Sequence, residues 1–270
     1  MKLFFKIIFR ELYHLFKSKK SRAFLWLVLK LGDKKRYQPC QVKYSRYYFS
    51  IPDALSFVWQ IKEIFVDESY AFTTQEASPI IYVCGANVGV DCLYFKENYP
   101  QARIKAFEAD PQIVKYLKNN LITNQCKAVE VIAKAVWVHN EGIEMQLEGA
   151  DGGSIFGEGN KVTVESTRLK TWLLQESSID MLKMDIEGAE VSVLEDCGKA
   201  LEKVSNLFVE YHAYTKQPQA LHKLISILSA AGFRYYVQEA IPRKKPLVNH
   251  QYRNQQVMDL QLNIYAYRLK

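Results

Sequence analysis

The sequence of 270 residues predicts a doubly wound α/β fold: a sheet of mostly parallel strands with helices on both faces. Three observations predict it. From residue 79 onward, short and nearly continuous apolar runs such as Ile80-Ile-Tyr-Val-Cys84 alternate with helical stretches, as strands buried on both faces do. A glycine turn, Gly85-Ala-Asn-Val-Gly89, follows the first run directly. Polar residues gather where strands should end, which is where open α/β sheets bind ligands.

Residues 1–50 read as a basic, amphipathic helical appendage. Phe4, Ile8, Leu12 and Leu15 fall on one helical stripe, with Lys2, Lys6 and Arg10 on the opposite face. A second apolar stretch, residues 23–29, is too short to span a bilayer, which takes about 20 residues. Eleven Lys/Arg and two acids lie in residues 1–36, a balance of +9 that exceeds the net +7 of the whole chain. The remainder carries 25 bases and 27 acids, which argues against a nucleic-acid-binding face on the body. Two readings of the appendage stay open. One is a cap whose stripe packs on the domain. The other is a peripheral helix on an anionic membrane surface, where each base contributes about 1 kcal/mol.

The body, residues 51–270 with a core at 79–238, is taken in order. Residues 80–84, 103–107 and 129–132 are expected strands, with helices near 88–98 and 111–122 between them. Asp110-Pro111 starts the second helix, because Asp caps free amides and Pro is pre-set for the first turn. Residues 143–147 and 162–166 alternate like exposed strands. A loop containing Gly149, Gly152, Gly153, Gly157 and Gly159 joins them, giving an inserted β-hairpin with a mobile tip. Residues 179–184 and 207–211 are further parallel strands, each followed by a helix. Residues 233–237 and 261–267 are the last strands, flanking the basic loop Arg243-Lys-Lys-Pro246.

Composition limits the setting. With 49% hydrophobic and 13% aromatic residues the chain can bury a sizeable core, which excludes wholesale disorder. The cysteines at 40, 84, 92, 126 and 197 are odd in number and never spaced C-x-x-C. This indicates a reduced, cytoplasmic protein without a zinc site.

Four strand ends carry the chemistry. Gly85 permits a tight turn and Gly89 a close approach of backbone to ligand. Glu108 ends the next strand, where a carboxylate can accept both hydroxyls of a ribose. Lys183, Asp185 and Glu187 alternate at the end of a later strand, all expected on one side, and charges there are costly to bury unpaired. Glu210 and His212 sit two apart at another strand end.

At these residues the sequence resembles the FkbM family of methyltransferases. The resemblance rests on Val83-Cys-Gly-Ala-Asn-Val-Gly89, Ala106-Phe-Glu-Ala-Asp-Pro111, residues 164–169, Lys183-Met-Asp-Ile-Glu-Gly188 within 180–190, and residues 207–212. It implies a class I methyltransferase, Rossmann-like sheet of seven strands, six parallel and the last antiparallel. It implies S-adenosylmethionine bound by Gly85, Ala86, Asn87 and Gly89, with Glu108 at the ribose, Ala109 and Ala135 near the adenine, and Asp110 also among the cofactor-binding residues. It also implies O-methylation of a sugar or glycan hydroxyl; the membrane-surface reading of the appendage would suit an acceptor that is lipid-linked at the inner face of the membrane. The sequence departs from the family at Val83, where an acid is usual.

Asp185 is expected nearest the transferred methyl, oriented by Lys183 and assisted by Glu187, Glu210 and His212. Asp185, Glu187 and Glu210 could instead hold a divalent cation. Two other readings stay open: an oxidoreductase using NAD or a nucleotide sugar, which the missing G-x-G-x-x-G opposes, and a catalytically inactive glycan- or membrane-binding copy of the fold.

Overall fold

The computed structural model describes residues 18–147, 153–156, 160–240, 243–250 and 258–269. The stripe at 3–16 and most of the glycine-rich tip lie outside these residues.

The first described element is α1 (Lys19–Leu31), capped by the Ser18 side chain. Helix does not continue through residue 50. Cys40–Tyr44 (β1) and Tyr47–Ile51 (β2) form an antiparallel hairpin. Val42, Tyr44, Tyr47, Phe49 and Ile51 are buried at every second position, a strand period that charge counting overlooks. The expected boundary at 50/51 therefore falls inside β2. Leu27, Leu31 and these hairpin residues share one apolar cluster with Leu93 and Phe95 of the body. Asn120 fastens the hairpin: its amide accepts from Ser50 N (2.7 Å) and donates to Ser50 O (3.0 Å) and Val88 O (2.9 Å).

Next come α2 (Ala54–Ile61) and a π-helical turn, Lys62–Val66. Neither has a strong sequence signal, since α2 is apolar nearly all round. Asp53 caps α2 by accepting from Ser56 N (2.9 Å) and is also held by Arg36 Nε (2.9 Å) and Tyr37 N (2.7 Å).

The body follows the expected alternation: β3 (Ile80–Cys84), α3 (Val90–Asn98), β4 (Arg103–Phe107), α4 (Pro111–Thr123), β5 (Val129–Ile132), β6 (Ala135–Trp137), β7 (Ile143–Gln146), β8 (Lys161–Val164), β9 (Ser166–Arg168), α5 (Leu169–Gln175), β10 (Ile179–Met184), α6 (Glu190–Cys197), β11 (Val204–Tyr214), α7 (Leu221–Ala230), β12 (Arg234–Glu239) and β13 (Met258–Tyr267). The inserted hairpin is β7–β8, paired antiparallel from Ile143 opposite Val164. Ser166 belongs instead to β9, which pairs in parallel with β6.

The main sheet has seven strands in the order β12-β13-β11-β10-β3-β4-β5. β13 runs antiparallel to both neighbours and the other six share one direction. The chain builds outward from β3 through β4 to β5, then returns to add β10 and β11 on the other side. Strand order thus reverses between β3 and β10, and the crevice at such a reversal is where ligands bind. Side chains alternate as the pleat requires: Ile81 and Val83 enter the cluster under α1–α4, while Tyr82 and Cys84 enter the one under α5–α7. Among the described residues, no helix is long and apolar enough to cross a membrane.

Candidate active site

At the switch point the ends of β3 and β10 touch. Gly85 has φ +79°, and a Cβ there would lie 1.9 Å from the Asp185 carbonyl oxygen, so only glycine fits. Gly89 (φ +87°) opens α3, and its tight neighbour is the Leu117 side chain at 2.7 Å. Its missing side chain thus makes room for Leu117, packing α3 against α4. Ala86 is likewise buried, its N–H donating to Phe107 O (2.9 Å).

Glu108 organises the next strand end. One carboxylate oxygen accepts from Asn87 N (2.8 Å) and the other from Asp110 N (2.9 Å). Each oxygen keeps a lone pair, so the pair is fixed as a bidentate acceptor for adjacent hydroxyls. Burial pushes Glu108 up to about 7, against the pull of those two amides. The Asp110 side chain caps α4, accepting from Gln112 N (2.7 Å). Its backbone N–H is the group that holds Glu108. Beside Glu108, Ala109 and Ala135 join Met145, Val164 and Ile155 in an apolar cluster, as an adenine ring requires.

Lys183 links this half to the other. Its ammonium is almost fully buried and donates to Gly85 O (2.7 Å) and Asp185 Oδ2 (3.3 Å), with Asp91 Oδ2 at 3.8 Å. Burial opposes its charge, but Asp185 and Asp91 outweigh that and hold its pKa above the ordinary value. Burial pushes Asp91 up to about 6 even with Lys183 nearby. Val83, at the position of the usual family acid, is buried opposite Lys183 in the β3–β10 register. Asp91, from the first turn of α3, brings a carboxylate to Lys183 instead.

β10 ends at Met184, so the expected strand alternation does not reach Glu187. Glu187 sits in a left-handed turn (φ +55°). Ser154 Oγ donates to its carbonyl (2.8 Å) and Tyr214 to its carboxylate (3.2 Å). The turn still brings Glu187 to Asp185 and His212, one candidate ligand atom from each lying within 4.8 Å of the others. His212 Nε2 is 3.6 Å from Glu187 and 4.0 Å from Glu210, and Nδ1 is 3.0 Å from Glu190. Burial pushes the imidazole pKa down, but Glu187 and Glu190 overcome it and hold His212 well above its ordinary value. Glu190 also accepts from Gly188 N (3.0 Å). Burial, then Asp185 and Glu63, raise Glu210.

Successive contacts thus link Glu108 to the glycine loop, the loop through Lys183 to Asp185, and Asp185 to Glu187, His212 and Glu210. Reading strand ends alone missed Glu63, Asp91 and Glu190. Glu63 comes from the π-helical turn, and burial and then Asp185 push it up to about 7. Asp91 and Glu190 were legible only as acids in first helical turns after the two glycine-containing loops. The candidate cation set shown by geometry is Asp185, Glu187 and His212, with His212 in place of Glu210.

Residues 84–235 match the methyltransferase FkbM domain family. The methyltransferase sdnD of Sordaria araneosa is 31% identical over 213 residues, covering 64% of this chain and 80% of that one. The 2-O-methyltransferase NoeI of Sinorhizobium fredii is 26% identical over 159 residues, covering 51% of this chain and 65% of that one. The crystal structure of an S-adenosylmethionine-dependent methyltransferase from Agrobacterium tumefaciens shares the fold. Its TM-score is 0.51 at 8% identity, over 88% of this chain and 72% of that one.

Proposed function

The chain belongs to the FkbM methyltransferase family, and from that premise we propose that it uses S-adenosylmethionine to O-methylate a hydroxyl of a sugar or glycan. The observation that carries the reading is the Glu108–Lys183–Asp185 arrangement. A fixed bidentate carboxylate and an apolar cluster lie at one end, and a carboxylate oriented by a buried ammonium lies at the other. The residues fit the cofactor: Glu108 suits the ribose diol, and Ala109, Ala135 and Met145 suit the adenine. S-adenosylmethionine, when bound, supplies an electrophilic methyl group on a sulfonium.

The protein's own part is alignment, exclusion of water and one proton transfer. Alignment is the larger contribution, with a base adding typically about 10²–10⁴-fold. Asp185, fixed by Lys183, accepts the acceptor hydroxyl's proton. His212, charged among Glu187, Glu190 and Glu210, steadies the far wall. The sugar class is supported by the 2-O-methyltransferase relative.

A second reading is favoured by the Asp185–Glu187–His212 grouping, whose mixed nitrogen and oxygen donors suit a divalent transition metal. Binding there would displace the His212 proton and acidify the acceptor hydroxyl directly. Activity that survives chelation and ignores added Mn²⁺ selects the base; activity lost on chelation and restored by Mn²⁺ selects the metal.

The proposal includes peripheral contact with an anionic membrane, where lipid-linked glycans reside. In its support, α1 turns Trp26 (75% exposed) and Leu29 (78%) outward, close to Lys30, Lys34 and Lys35. The cytoplasmic side is the one consistent with five free cysteines.

The deciding experiment is calorimetric titration with S-adenosylhomocysteine, followed by methyl transfer to a panel of glycans. Micromolar binding with transfer to a sugar oxygen supports the reading. Binding with transfer only to nitrogen, or no binding, defeats it.

A further inference from the structure

A cleft of ≈ 480 Å³ opens beside the crevice, between the π-helical turn and strands β12 and β13. It reaches the reacting end, because Glu210 and Glu63 line it and both feel the Asp185 carboxylate as their strongest charged neighbour. Its chemistry is unusual in one respect. Of its charged lining residues five are acids and one is a lysine. That lysine, Lys62, is engaged by Asp67 at 2.6 Å, and Glu68 is matched by Lys20 from outside at 2.8 Å. Among the described residues, neither Glu63 nor Glu239 has a cationic group within 4.0 Å. Among the same residues, Glu210 has His212 alone within that distance, at 4.0 Å and already shared with Glu187 and Glu190.

The remaining walls suit a sugar ring. Tyr236 is 58% exposed and leans on Tyr265, with ring centroids 6.0 Å apart. Such faces pack against the C–H surface of a pyranose. Gln238 and Asn263 add amide groups for hydroxyls. An anionic sugar, uronate or phosphate, would meet like charge in a partly desolvated cleft, where it costs most. A protonated amine would instead supply the cation that Glu63 and Glu239 lack, as a charge-assisted hydrogen bond.

We propose that this cleft holds the acceptor through a protonated amine, so that the acceptor is a sugar with a free amino group rather than a neutral or anionic one. The inference rests on the methyltransferase reading and narrows its substrate class. Burial, then Asp185, pushes the Glu63 pKa up to about 7 against the more distant pull of Lys183 and Lys62, and a bound ammonium would offset that cost.

The test uses the full chain and three short oligosaccharides of equal length: glucosamine with free amines, its N-acetylated counterpart, and galacturonate. Each is titrated calorimetrically with and without S-adenosylhomocysteine. The aminated oligomer should bind at least tenfold more tightly than the acetylated one, and the uronate should not bind. Glu239→Gln and Tyr236→Ala, both on β12 at the surface, should each weaken the aminated oligomer about tenfold while leaving the melting temperature unchanged. Equal binding of aminated and acetylated oligomers, preference for the uronate, or no binding by the aminated oligomer overturns the inference. Failure to bind S-adenosylhomocysteine counts against the cofactor site instead, and the oligosaccharide titration without it still decides the cleft.

Discussion

At the scale of single residues, Glu108 and Asp185 separate binding from chemistry. Glu108→Gln removes a charged acceptor, a loss of about 1.5–3 kcal/mol, so S-adenosylhomocysteine affinity should fall roughly tenfold to a hundredfold by calorimetry. Because Glu108 ionises near about 7, wild-type affinity should weaken as pH drops from 8 to 6, when the carboxylate takes up a proton. The glutamine variant should show no such slope. Asp185→Asn should leave that affinity within about twofold and lower kcat by about 10²–10⁴, read from single-turnover transfer. A fully active variant removes Asp185 from the mechanism. These two acids and Gly85 were legible because strand-end position alone implies a ligand site. Asp91 and Glu190 were not, because their partners Lys183 and His212 arrive from other elements. Glu187 was found for an incomplete reason: it reaches the site through a left-handed turn and not through strand alternation.

At the scale of elements, the hairpin and α1 are held by few but specific contacts. Asn120 is wholly buried and serves three backbone groups of β2 and the glycine loop. Asn120→Ala strands all three, and the chain should lose about 3 kcal/mol in urea melts, with weaker cofactor binding because Val88 lies in that loop. An unchanged midpoint denies the hairpin this role. For α1, replacing Trp26 and Leu29 together by Glu should abolish co-sedimentation with vesicles rich in anionic lipid while sparing the fold, since both side chains point outward. Equal sedimentation of the variant and wild type refutes membrane contact through this face. The strands of the body were readable from apolar runs bounded by turn residues. The β1–β2 hairpin was also written in its alternation, at Val42, Tyr44, Tyr47, Phe49 and Ile51, but the helical stripe at 3–16 was extended over it. The π-helical turn has no sequence period to find, and with it Glu63 stayed hidden.

At the scale of the whole molecule, stability should follow the buried acids. Asp91, Glu63 and Glu108 have folded pKa values raised from 3.8, 4.5 and 4.5 to about 6, 7 and 7. A raised acid favours folding while protonated, so its contribution is full below the unfolded pKa and is lost as pH rises through the folded value. The unliganded protein should therefore melt at a higher temperature at pH 5 than at pH 8, by differential scanning calorimetry. Asp196 works the other way, held low by Arg168, so its contribution fades as pH falls through its folded value. A melting temperature that climbs steadily from pH 5 to 8 contradicts the burial of these acids. The overall sheet was legible from strand spacing. Its strand order was not, since nothing local states that β13 lies between β11 and β12; the family resemblance implied the antiparallel last strand but not its place.

That placement has a consequence during synthesis. β11 and β12 do not pair with each other, and each depends on β13 for its neighbour. Until residue 267 leaves the ribosome, the edge of β11 is open and β12 has nowhere to add. An open edge of this kind invites pairing with other chains. The nascent polypeptide is thus most exposed to such pairing between the emergence of β11 and that of β13. Gln261 and Asn263 of the cleft ride on the same strand, so that wall of the cleft forms only once β13 has paired.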